Sequence, residues 1–219
     1  MRKIKKFKIP IYTYDILRKA KKRKIDLFAL GLAEQESAKE YISSIAAALE
    51  PSTMFDLLTP EEELTRSFGS PNGAAGTLGV ITLGAAFEEK TKAITDPELF
   101  RLAETAALVF AETGLKVVAE LIGQEVAAEG FDPGEPRYLY SCPALLTADQ
   151  GPADRSDDGP VCQSEPAVLE AILNRLSADK IGVRLAEGSL SPKYSLIFDI
   201  PWLAGKKKKP APGSAAAGK

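Results

Sequence analysis

The sequence predicts an α+β fold: an antiparallel or mixed sheet packed with several helices, one of them long and central. Amphipathic helical spacing recurs along the chain, and one such pattern runs from Asp96 to about Glu129. Short apolar runs at Thr77–Leu83, Arg137–Ser141, Ile181–Leu185 and Tyr194–Ile200 look like strands. Strands and helices do not alternate strictly, and the last two strands read as a hairpin, which argues against a parallel α/β layout.

Taken in order, Thr13 to about Arg23 forms a first helix, with Ile16, Leu17 and Ala20 on one face. Ser37–Leu49 forms a second through Tyr41, Ile42, Ile45 and Leu49, and Pro51 follows it. Thr59-Pro60-Glu61-Glu62 is a capping box that opens a short helix, because Thr59 can cap, Pro60 fits the first turn and Glu62 reaches back. A Gly/Ser/Pro loop at 67–76 leads into the strand Thr77–Leu83. Asp96-Pro97 opens the long helix and Gly130 stops it. Its apolar stripe is Leu99, Leu102, Ala106, Phe110, Val117, Leu121 and Val126, with a bend possible at Gly114. Residues 147–164, rich in Asp, Gly and Pro, predict a mobile loop, and Glu165–Leu176 a further helix. The Glu187-Gly-Ser-Leu-Ser-Pro192 segment joins the last two strands.

Charge is unevenly spread along the 219 residues. Residues 1–24, a basic arm and first helix, hold 11 Lys/Arg and one acid, Asp15. The tail 205–219 holds five Lys and no acid, and its Lys/Ala/Pro/Gly composition predicts disorder. Between them, 25–205 carries 12 basic and 29 acidic residues, a net −17. Such an arm can be solvated with some docking back onto the acidic body, dock on an acidic partner or contact nucleic acid, and the acidic body disfavours the last. No apolar run is long enough to span a membrane and the basic start lacks a signal-peptide core, so a cytoplasmic protein is expected. The chain has no histidine, which excludes a Ser-His-Asp triad, a histidine base and any histidine ligand to zinc, haem or cobalt. Two cysteines, Cys142 and Cys162, cannot build a four-thiolate metal site.

Few motifs carry chemistry. Gly73-Ala-Ala-Gly76-Thr-Leu-Gly79 lacks the Lys-Ser/Thr of a phosphate loop and precedes a strand, so a tight turn is the simpler reading. Glu112, Lys116 and Glu120 follow one another at helical spacing and could form a solvated ion-pair ladder. Arg137 could hold a ligand carboxylate bidentately or pair with a nearby Asp or Glu. Cys142 has no adjacent base to make it a reactive thiol.

The stretch Lys180-Ile-Gly-Val-Arg-Leu-Ala-Glu187-Gly-Ser-Leu-Ser-Pro192-Lys-Tyr-Ser195 resembles the final segment of the activation domain of cobalamin-dependent methionine synthase. Gly79-Val-Ile-Thr-Leu-Gly84 and Val117-Val-Ala-Glu120 are similar to that family's Thr-Leu-Gly strand and Ala-Glu helix, and the likeness covers about 8–202. The resemblance implies a methionine synthase activation-like domain that binds S-adenosylmethionine and supports reductive remethylation of a corrinoid enzyme. Cobalamin would enter only through a partner, a corrinoid-binding protein or methionine synthase modules. It also implies ligand contacts from Arg137 and Glu120, with Tyr140, Tyr194 and Ser195 nearby. The family's Arg-x-x-Pro-Gly-Tyr motif reads Arg137-Tyr-Leu-Tyr-Ser141-Cys142 here, so a Cβ stands at 141 where backbone should approach the ligand. The alternative is an adaptor of a corrinoid or methyl-transfer complex that has lost ligand binding.

Overall fold

The computed structural model describes residues 1–59, 75–142, 145 and 166–204. The helix expected after Thr59, the loop 147–164, Cys162 and the tail 205–219 lie outside these residues, apart from Thr59 itself. In chain order the elements are β1 (Arg2–Lys5), α1 (Thr13–Lys22), α2 (Gln35–Ala46), β2 (Ser52–Leu58), β3 (Gly76–Thr82), α3 (Ala85–Lys92), α4 (Pro97–Ala128), β4 (Phe131–Pro133), β5 (Arg137–Ser141), α5 (Pro166–Leu176), a short 3-10 turn (Ala178–Ile181), β6 (Arg184–Ala186), β7 (Ser189–Ser191) and β8 (Ser195–Ala204). The fold is α+β, and every strand pairing among the described residues is antiparallel.

The main sheet runs β1-β2-β3-β8, with both β4 and β5 on the far side of β8. Alternation along β8 sets two faces. Leu196, Phe198, Ile200 and Trp202 join a core with α1, α2, α3 and α4, whereas Ile197 joins a second core under α5. Because both faces of β3 are covered, its residues are apolar or small throughout and all buried.

The long helix α4 begins as predicted. Asp96 Oδ1 accepts hydrogen bonds from the Glu98 and Leu99 amides, each 2.9 Å, and Pro97 occupies the first turn. The helix runs unbroken through Gly114, whose missing Cβ would sit 3.0 Å from Ile9 Cδ1 and 3.1 Å from Ile81 Cδ1. That glycine serves close approach to the sheet. The buried face of the C-terminal half passes through Leu115, Val118, Ile122 and Val126. Val117 and Leu121, expected in the stripe, lie one position off it; Leu121 is 38% exposed. The periodicity had two apolar rows to choose from, and packing took the one facing the sheet.

One expectation needs correction. Ile181–Leu185 and Tyr194–Ile200 do not pair. Instead β6 and β7 form their own small hairpin, turned by Glu187 and Gly188 at φ 50° and 77°, a geometry suited to a two-residue hairpin turn. β8 inserts between β3 and the β4/β5 side of the main sheet. The basic N-terminus, expected as an arm and first helix with some docking back onto the body, is integrated into the fold. Arg2–Lys5 pairs with β2, and Ile16 and Ala20 of α1 are buried in the core.

Candidate functional site

A groove of about 950 Å³ opens between α1, α4 and the segment 133–138. Val109, Leu115, Val117, Ala119 and Ile200 give it apolar lining, and Tyr138 borders it. Cations come from Arg18, Lys19, Lys22 and Lys116, and carboxylates from Asp15, Glu112 and Glu120. An apolar, concave site with a few convergent charges suits a small amphipathic ligand.

The charges are not equivalent. Lys19 Nζ reaches Glu112 Oε1 at 3.1 Å, joining α1 to α4, and the Lys19 side chain is only 12% exposed. Arg18 pairs with Asp15 at 3.2 Å within α1. The expected ladder along α4 does not close, because Glu112 turns to Lys19. Lys116 and Glu120 have no ion-pair partner among the described residues. They stand one helical turn apart on the groove wall. The partly buried Tyr138 phenol also has no hydrogen-bond partner among the described residues, and burial, with Glu112 nearby, raises its pKa.

Arg137 is placed elsewhere. It lies opposite Asp199 in the β5–β8 register, so both side chains stand on the α5 face. Arg137 Nε donates to Asp199 Oδ2 at 2.9 Å, and Nη2 donates to the same oxygen. Of the alternatives open to Arg137, the structure forms the ion pair with a nearby Asp. Burial raises the Asp199 carboxyl pKa, and the guanidinium opposes that shift without cancelling it. Glu120 sits in a groove bordered by Tyr138 and Ile200, on the other face. The sheet therefore separates Arg137 from Glu120, and the convergence of the two on one cavity does not form.

The remaining residues are dispersed. A register shift between Tyr138 and Tyr140 sets Leu139 and Tyr140 against the α5 core. Tyr194 is 2% exposed, with its ring 5.3 Å from that of Phe87 in an edge-to-face contact. Ser195 is fully buried; its hydroxyl donates to the Pro192 carbonyl at 2.7 Å and accepts from the Thr82 hydroxyl at 2.8 Å. Of the five residues singled out in the sequence, only Glu120 borders the groove. Sequence reading passed over Tyr138 and Lys19. Tyr138 alternates out of the Arg137 face, and that signal was available in the strand's own period.

No family model matches the chain, and no curated protein matches it in sequence. Among the described residues no helix is long and apolar enough to cross a membrane, and no group of three or more Cys, Asp or Glu side chains is placed to hold a metal ion.

Proposed function

We propose that this protein is an S-adenosylmethionine-binding accessory protein that supports reductive remethylation of a corrinoid-dependent methyltransferase such as methionine synthase. One observation carries the reading: Glu120, the helix glutamate of the resemblance, lines an open groove and has no ion-pair partner among the described residues. A carboxylate so placed favours a sulfonium or ammonium, and the apolar lining with Tyr138 suits an adenosyl arm. The chain's own work in this reading is to bind and orient the methyl donor. With no histidine in the chain, a histidine-ligated cobalt belongs to the partner. Titration calorimetry tests the reading: S-adenosylmethionine is expected to bind with a Kd on the order of micromolar, and Glu120→Gln to weaken it about tenfold. Absence of heat at millimolar ligand removes the reading.

The Arg137–Asp199 pair favours a second reading, an adaptor of a corrinoid or methyl-transfer complex that no longer holds the ligand. It expects a corrinoid protein to be retained by the ligand-free form, and retention to fall in Lys8→Glu/Lys21→Glu. Both lysines are exposed, so this variant spares the core that deletion of 1–24 would remove. Retention unchanged by those substitutions speaks against docking through the basic region.

A further inference from the structure

With Arg137 on the opposite face of the sheet, the groove needs another group to meet the carboxylate of an amino-acid ligand. We infer that Lys116 is that group, and that Lys116 and Glu120 together select ligands with a zwitterionic amino-acid head. The inference rests on the proposed function and adds the residue that sets ligand choice at the same site.

The argument starts from the spacing of charges on α4. Glu112, Lys116 and Glu120 are each one turn apart, so Lys116 could pair up or down the helix. Glu112 is withdrawn from it by the partly buried ammonium of Lys19 at 3.1 Å. Lys116 and Glu120 also fail to reach each other within ion-pair distance, although helical spacing permits it. Both are exposed on the groove wall. An exposed ammonium and carboxylate that stand unpaired on one wall match a head that carries the opposite charges, with Glu120 taking the ammonium and Lys116 the carboxylate. The apolar lining and the Tyr138 ring continue from that wall and receive the arm. A ligand without its carboxylate forfeits the Lys116 contact and presents only positive charge to a wall where one cation is still unmatched.

The comparison ligand is the decarboxylated form of S-adenosylmethionine, which keeps the sulfonium, the primary ammonium and the adenosyl arm. By calorimetry on the full chain, the wild type is expected to prefer S-adenosylmethionine by about tenfold, the scale of one charge-assisted hydrogen bond. Lys116→Gln should lose about tenfold for S-adenosylmethionine, bind the decarboxylated ligand no more weakly than the wild type does and so erase the preference. Lys116→Arg should retain it. Because Lys116 is exposed, circular dichroism and thermal unfolding of the variants should match the wild type. Equal binding of both ligands by the wild type, or a preference that survives in Lys116→Gln, overturns the assignment of Lys116 and leaves the proposed function standing. If neither ligand binds the wild type, the proposed function and this inference fall together.

Discussion

Arg137 and Asp199 face each other across β5 and β8, with Nε and Nη2 of the guanidinium converging on one buried carboxylate oxygen. The arrangement secures the short strand β5 to the edge of β8. It also leaves Asp199 as a charge whose burial is only partly offset, since its pKa remains raised from 3.8.

Arg137→Ala should therefore be a stability variant. Removing the guanidinium strands a nearly buried carboxylate, at a cost of about 2–4 kcal/mol near neutral pH. The sign of the pH dependence follows from the raised carboxyl pKa. The stability it contributes is fully present below the unfolded value of 3.8 and is lost as pH rises through the folded value. Without Arg137 the folded value climbs further, so the gap between variant and wild type should widen from acid to neutral pH. Urea unfolding at the two conditions measures it. A loss independent of pH would mean that Arg137 acts by packing its stem. Affinity for a groove ligand should not change.

The fold class and the long helix were legible because their signals are local. Asp96-Pro97 at the start and Gly130 at the end bracket α4 by capping chemistry alone. β2 was not legible. Met54 and Leu58 enter one core and Phe55 the other, so the strand lacks the polar alternation that marks a half-buried strand. β1 was hidden by its lysines, which read as a solvated arm although an edge strand tolerates them. A place on the groove wall was legible for Glu120, and the position of Arg137 was not. The face that Arg137 takes depends on its register against β8, a relationship 62 residues away in sequence.

Ser195 gives a second test of that difference. Its buried hydroxyl contacts Thr82 Oγ1 and the Pro192 carbonyl, and no groove residue among those described. Ser195→Ala should cost about 1–2 kcal/mol by thermal or chemical unfolding, because the Thr82 hydroxyl loses a buried partner. Affinity for a groove ligand should stay at the wild-type value. A selective loss of affinity without a stability change would return Ser195 to the ligand.

Glu88 should contribute stability with the opposite pH sign to Asp199. Burial pushes its pKa up, but Lys92 at 2.5 Å and the Lys193 amide at 2.6 Å outweigh that and hold it below 4.5. A depressed carboxylate contributes stability above its unfolded pKa and loses it as pH falls through the folded value. Glu88→Gln should cost about 1–2 kcal/mol at neutral pH. The difference from wild type should shrink once the pH drops below 4.5. A difference that persists into acid would point to lost hydrogen-bond geometry instead of charge.

Gly79 and Phe198 face each other in the β3–β8 register, and a Cβ built on Gly79 would lie 2.2 Å from Phe198 Cζ. The ring thus lies over bare backbone at the centre of the larger core, where Phe198 is fully buried. Gly79→Ala cannot be absorbed by a small rotation, since three ring atoms come within 2.8 Å of the new methyl. The expected cost is about 3 kcal/mol, the upper end of ordinary overpacking. Phe198→Leu alone should also destabilise, by removing ring contacts. The double variant should nevertheless be more stable than the sum of the two losses implies, because the shorter side chain vacates the space the methyl needs. A double-mutant cycle in urea should give a favourable coupling of about 1 kcal/mol or more. Strict additivity would mean that the glycine is required by the strand backbone and not by the ring above it.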